Sequence, residues 1–430
     1  MPLFKNKQEL GWCLYDWGNS AFATTVMAGF FPVFFKEYWS QGVAVTESTA
    51  KLGLANSAAG LIVAVLAPIL GAIADRGSRK KQFLIFFAYL GVLSTIALFV
   101  IAKGNWPLAA LIYVLGTVGF SGGNIFYDSL LPTIVSEKKI DYVSALGYAM
   151  GYLGGGLLFA VNVWMTLSPA TFGLADAGEA VRLSFIMAGV WWGIFTLPII
   201  FLVPETKSAR AVSMREAVRA GWQQFTLTFS KIRHLKTIAL FLAAYWLYID
   251  GVDTIIRMAV DYGMSIGFET KDLIAALLLT QFVGFPSAIV YGKLGEKIGA
   301  KRAIYIAIFV YLLVVIWAVT MTQKFEFYAL AVVIGLVQGG IQALSRSLYS
   351  RLIPHDQTAE FYGFYNLLGK FAVIFGPILI GFTGLISQSP RAGIASIAVL
   401  FVLGGILLSF VDEKQGAAEV KYLTLTNQKK

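Results

Sequence analysis

Stretches of about 20 apolar residues recur along almost the entire chain, and no soluble core buries so many in succession. At about 1.5 Å of rise per residue, each stretch makes a helix long enough to cross the ~30 Å hydrocarbon layer of a bilayer. Lipid offers no hydrogen bonds, so only helices and closed barrels cross it, and the short alternating strands of a barrel are not the pattern here. Hydrophobic residues make up 57% of the sequence and charged ones 13%, far from a soluble composition. Twelve spans are predicted, over about 10–35, 52–74, 83–102, 107–131, 142–167, 183–203, 237–260, 272–291, 303–322, 327–350, 360–386 and 391–411. Lys5 and Lys7 precede the first stretch, which is too long for a signal-peptide core and reads as an uncleaved span. With a single cysteine, Cys13, no internal disulfide is possible.

An even number of spans puts both termini on one side. Most of the 34 Lys and Arg fall in the segments of that side, so the positive-inside rule predicts cytoplasmic termini. The longest break, Pro204 to Lys236, divides the chain into an N-terminal six-helix bundle (1–203), a cytoplasmic linker (204–236), a C-terminal six-helix bundle (237–411) and a tail (412–430). Within the linker, Ser213 and Glu216 form a capping box, and Met214, Val218, Trp222, Phe225, Phe229 and Ile232 recur at helical steps. This predicts an amphipathic helix on the membrane surface, with a basic face that reads more as a solvated linker than as a regulatory lipid site. The halves echo one another. Gly71–Lys81 (GAIADRGSRKK) and Gly292–Arg302 (GKLGEKIGAKR) repeat glycine, acid and base at matching offsets, and Trp12–Asp16 and Trp246–Asp250 share a spacing. Six-span repeats build many secondary transporters, with the ligand near the midplane between halves.

The Gly71–Lys81 segment resembles the loop signature of the major facilitator superfamily, G-x-x-x-D-R-x-x-R-K/R. The second-half loop departs from it, with Glu296-Lys297 where Asp-Arg would stand. A narrower likeness lies in YDWGNSAF (Tyr15–Phe22), FYDSLLP (Phe126–Pro132) and the run from Gln342 through Arg346, Arg351, Pro354, Glu360 and Tyr362–Tyr365 to Gly376-Pro377. These resemble the vacuolar-effluxer-like branch, related to fungal autophagy-linked vacuolar amino-acid effluxers. The resemblance implies two pseudo-symmetric six-helix bundles, a central cavity lined by the first, fourth, seventh and tenth spans, and export of amino acids or similar solutes.

Ionisable side chains inside a bilayer normally face a cavity or a partner. Asp16 and Asn19 share one face of the first span, and Asn124 and Asp128 share one face of the fourth, which places both acids at one cytoplasmic vestibule. The seventh span carries Asp250, Asp253 and Arg257 at steps of three and four. Two readings stay open there: an Asp253–Arg257 ion pair that only makes the arginine tolerable, or a carboxylate at 250 or 253 that takes a proton or a substrate amine. Gln338, Gln342 and Arg346 lie along the tenth span and Asn366 and Lys370 along the eleventh. Lys370 suits a substrate carboxylate or an aspartate partner equally. Arg346, near the cytoplasmic end, reads as a gate or a snorkelling side chain. Asp75, Arg76, Arg79 and Glu360 read as gating groups, with Asp75 placed to meet the N-terminus of the eleventh span when the cytoplasmic ends close. Gly147, Gly151, Gly154, Gly155 and Gly156, with Gly376, Gly381 and Gly384, read as close-packing positions.

No zinc-ligand cluster, phosphate-cradling loop or nucleophile triad appears, and His234 and His355 are the only histidines. An enzyme, a metal site, a cofactor and a nucleic-acid partner are therefore not expected. The expectation is a monomeric secondary transporter in a bacterial inner membrane, surrounded by lipid and working by alternating access with proton coupling. Acids mixed with Arg257 and Lys370 point to amino acids or similar amine-containing zwitterions; the alternative is an exporter of cationic or amphipathic compounds or lipids.

Overall fold

The computed structural model describes residues 4–419 apart from 5, 44, 206–214, 217, 221, 224–225, 227–234 and 417. The predicted linker helix and the tail fall largely outside the described residues, as do the side chains of Arg257 and Lys370. Long helices follow in order: α1 (Lys7–Trp39), α2 (Val45–Gly77), α3 (Lys80–Ala97), α4 (Trp106–Ile134), α5 (Ile140–Leu167), α6 (Ala177–Leu202), α7 (Lys236–Ser265), α8 (Thr270–Ile298), α9 (Ala300–Thr320), α10 (Lys324–Leu352), α11 (Thr358–Ser387) and α12 (Pro390–Ser409). Among the described residues, eleven stretches are long and apolar enough to cross a membrane. The remaining helix, α11, occupies the place of the eleventh predicted span, and several of its side chains are not described.

Local chemistry sets the helix ends. Asn6 accepts the Glu9 N–H at 2.7 Å, Asp176 accepts the Glu179 N–H at 2.8 Å, and Gln323 and Glu326 close a capping box on α10. Inside α1 the turns widen to π-helix over Phe22–Phe30 and again over Phe35–Trp39. Such widening is rare and clusters at functional sites.

One face of the molecule carries the first residues of α1 and the last of α12. There Gly11 lies against the Pro198 carbonyl near the end of α6. Lys81 Nζ donates to the Ile200 and Val203 carbonyls, and Lys301 Nζ donates to those of Ser409 and Val411. A cation thus caps the last carbonyls of α6 in one half and of α12 in the other, where the helix dipole favours positive charge. We call this the terminal face.

Within the first half α1 packs on α5 and α6, and α3 on α4 and α6; within the second, α7 packs on α11 and α12, and α8 on α10. The halves join through α2 with α11, α5 with α8 and α10, and α4 with α11. The join is close because it is made through glycine. A Cβ on Gly71 would lie 2.3 Å from the Ala359 carbonyl oxygen, and one on Gly292 would lie 2.6 Å from the Ala145 Cβ. These two glycines hold corresponding places in the two loop motifs.

Of the glycines read as packing positions, Gly147 faces the Trp12 ring, Gly151 the Ser20 hydroxyl, Gly154 the Trp17 ring, Gly155 the Ser20 carbonyl, Gly156 the Gln281 side chain and Gly376 Thr254. Gly381 and Gly384 differ: among the described residues nothing comes within 4 Å of a Cβ at Gly381, and only the Ser389 carbonyl does at Gly384.

Candidate functional site

Polar side chains predicted on α1, α4, α10 and α11 make contacts both within and between the halves. Asn19 donates to the Asn124 side-chain oxygen at 2.7 Å, joining α1 to α4. Tyr152 of α5 donates to Gln342 Oε1 at 3.3 Å, joining the first half to α10. Asn366 of α11 donates to the Tyr362 carbonyl at 3.0 Å and, at 3.5 Å, to Asp128. Asp253 of α7 is half-buried. Gln338 is buried on α10 and borders a largely apolar cavity that also touches Gln281, Thr280 and Tyr262.

Toward the terminal face this polar region ends at a buried ion pair. Arg346 Nη1 donates to Asp128 Oδ1 at 2.9 Å, its Nε to the Ser144 hydroxyl at 2.9 Å, and its Nη2 to the Ser144 carbonyl at 2.7 Å. The guanidinium also lies 4.8 Å from the Trp12 ring centroid, 5.4 Å from Tyr127 and 4.5 Å from Tyr148. With the residue only 2% exposed, Arg346 is not snorkelling. It enters the opposite half, where each of its three nitrogens donates to an acceptor and three rings lie around the guanidinium. The pairing respects the repeat, since 218 residues separate Asp128 from Arg346 and the same spacing separates the single-turn helices Glu137–Lys139 and His355–Gln357.

Asp16 stands beside this pair. It accepts from Ser20 at 3.2 Å and from the Tyr127 hydroxyl at 3.2 Å, while Tyr127 stacks on Trp12 with ring centroids 4.2 Å apart. Asp16 and Asp128 are 8% and 7% exposed. In this conformation they do not flank an open vestibule, because Arg346 and the aromatic rings fill it.

Asp250 repeats the arrangement of Asp16 with a different outcome. Thr254 donates to it from one turn on, as Ser20 does to Asp16, but both carboxylate oxygens also accept the Gly376 N–H of α11, at 3.0 and 3.1 Å. That N–H stands immediately before Pro377, where a helix loses backbone donors. Asp250 therefore anchors the backbone of α11.

The predicted gating residues separate. Asp75 accepts the N–H groups of Ala359 and Glu360, at 3.2 and 2.8 Å, at the N-terminus of α11. Its basic partner is Lys80, which bonds Asp75 at 2.8 Å and the Thr358 hydroxyl at 2.6 Å. Arg76 is exposed and Arg79 half-buried, while Glu360 is fully buried. A further latch joins Asp141 of α5 to Arg351 at 2.7 Å and to Ser347 at 2.5 Å, both on α10. Sequence reasoning passed over Lys80, Asp141, Ser144 and Tyr148; only the Lys80 position had a local signal, the last base of the loop signature.

The comparisons with known proteins agree with this architecture. The family described as "Vacuole effluxer Atg22 like" matches residues 48–421. The chain is 39% identical over 410 residues to the MFS-type transporter YxiO of Bacillus subtilis (strain 168), covering 95% of each chain. It is 23% identical to Autophagy-related protein 22 of Eremothecium gossypii, covering 98% of this chain and 94% of that one. Among solved structures, the proton:xylose symporter XylE matches with a TM-score of 0.69 at 15% identity, covering 97% of each chain, which shows the shared fold. The chain belongs to the vacuole effluxer Atg22-like family of the major facilitator superfamily, and is a multi-pass membrane transporter, not an enzyme.

Proposed function

We propose that the protein exports amino acids or similar amine-containing zwitterions by alternating access coupled to protons, and that the conformation described here is outward-facing. The closed terminal face supports the conformational part of this reading, and membership of the vacuole effluxer Atg22-like family supports efflux. Asp75, Lys80, Asp128, Asp141, Arg346 and Arg351 tie the halves together at that face, while Asn124, Asp253, Gln342 and Asn366 are half-buried. Cytoplasmic termini, a bacterial inner membrane and a monomer complete the reading. Asp253, half-buried on α7, is the second-half carboxylate we propose for a proton or an amine, while Asp250 holds the backbone of α11. Arg257 and Lys370 remain proposed contacts for a substrate carboxylate.

Counterflow in proteoliposomes tests this, with labelled amino acids, polyamines, organic cations and lipids supplied at two pH values. Movement of zwitterions that responds to a pH gradient supports the reading. Movement of lipids or bulky cations alone overturns it in favour of an amphipathic-compound exporter.

A further inference from the structure

Arg346 occupies a site that is fully built by the other half of the molecule. Three rings, Trp12, Tyr127 and Tyr148, surround the guanidinium at 4.5–5.4 Å, Asp128 takes one N–H, and the Ser144 hydroxyl and carbonyl take two more. Asp16 adds a second negative charge that attracts the same group. Aromatic faces with carboxylates are the chemistry by which proteins hold organic cations. The rings and acids belong to α1, α4 and α5, and the cation arrives on α10 from the second half. Part of the site is held without Arg346: Trp12 stacks on Tyr127 and donates to the Tyr127 carbonyl at 2.8 Å, and Tyr127 donates to Asp16. When the terminal face opens, the halves separate and Arg346 leaves with its own. Opening leaves the Asp128 carboxylate and the rings accessible without their cation, so a cation from solution that binds there favours the open state.

We propose that the pocket formed by Trp12, Tyr127, Tyr148, Asp128, Ser144 and Asp16 is a receptor for the guanidinium or ammonium group of the transported solute, filled by Arg346 while the terminal face is closed and by the solute when it opens. The proposal rests on the reading of the cargo as amine-bearing. Arg346 is then an internal ligand: it closes the empty carrier and yields to a cation of the same class.

The test uses ethylguanidinium as probe and the full chain in two arms, neither of which needs the natural cargo. In the first, purified Arg346→Ala protein gains a melting-temperature rise of roughly 2 °C or more with millimolar ethylguanidinium, and the Asp128→Asn/Arg346→Ala double variant gains none. If Arg346→Ala does not fold, Arg346→Gln serves the same comparison. In the second arm, Arg346 is retained and Ala145→Cys reports opening, because Ala145 is fully buried in the join of the halves. Ethylguanidinium applied from the terminal side raises maleimide labelling of this cysteine severalfold, and an added Asp128→Asn removes the rise. Equal responses of the single and double variants in the first arm overturn the proposal. So does rescue in the first arm without increased labelling in the second, since filling a hole left by a truncated arginine is not exchange with it. A failed flux screen with intact labelling responses overturns the cargo reading and leaves the receptor standing.

Discussion

Arg346 of α10 reaches Asp128 of α4 at 2.9 Å, and the two residues hold equivalent places in the two halves of the repeat. A charge pair on the pseudo-symmetry axis must break whenever the halves part at the terminal face. Removing one member of such a buried pair costs ~3–5 kcal/mol, because the other is left unpaired, whereas replacing both by neutral groups costs less. Arg346→Ala is therefore expected to shift the protein toward the terminal-open state by about 100-fold or more. Asp128→Asn/Arg346→Gln recovers a good part of that shift. Maleimide labelling at Ala145→Cys, against the buried native Cys13 as background, measures both. Strict additivity of the single substitutions would show that the pair is not a unit.

Asp75 gives the second prediction. Its carboxylate takes two N–H groups from the first turn of α11 and the Lys80 ammonium. Hydrogen bonds to a charged group are worth ~1.5–3 kcal/mol, so Asp75→Ala opens the terminal face by about 10- to 100-fold. Labelling at Ala145→Cys rises accordingly, with no change in the affinity for solute on the face opposite the terminal one. Unaltered labelling removes Asp75 from the gate.

Gly71 tests whether closure depends on backbone approach as well as on charge. A methyl there collides with the Ala359 carbonyl at 2.3 Å and the Glu360 Cα at 2.8 Å, and backbone cannot swing aside as a flexible side chain does. Gly71→Ala is expected to hold the terminal face ajar and slow turnover at least tenfold. Gly53→Ala on the same helix, where nothing lies within 4 Å, leaves turnover within about twofold. Equal turnover in the two variants would refute a close join at Gly71.

The two acids of α7 are expected to part company. Asp250→Asn keeps an acceptor for the Gly376 N–H and retains pH-dependent transport within roughly threefold, whereas Asp250→Ala orphans that N–H and loses ~1–3 kcal/mol of stability. Asp253→Asn removes the half-buried carboxylate and abolishes the response to a pH gradient. Melting curves and proteoliposome flux at two pH values measure these effects. The opposite ranking would return the proton or amine to Asp250.

Much of the site was visible in the chain before folding. Asp16, Asn19, Asn124, Asp128, Asp253, Gln342 and Asn366 announced themselves because polar groups are expensive in a bilayer, so each marks an inward-facing helical stripe. The Asp75 contact with the start of α11 was legible for a different reason, the position of an acid in a loop signature opposite a helix N-terminus. Less was legible of Asp250 and Arg346. Both were read by depth and charge alone, and depth does not say whether a carboxylate meets solute or the backbone of α11, nor whether an arginine near a helix end reaches for water or crosses to the other half. Asp141 and Ser144 gave no signal at all, since an acid and a serine in the first turns of α5 look like ordinary helix-start residues.

The sequence by itself determined that this is a helical membrane protein of two related halves, because apolar length and the repeat of glycine, acid and base are carried by residues close together in the chain. Only the tertiary structure decided which charges neutralise one another. Asp128 and Arg346 meet across 218 residues, and Asp75 and Glu360 across 285. Those distances are set by how α2, α4, α5, α10 and α11 cross at the terminal face, and helix crossing depends on packing among all of them at once, which no local pattern encodes.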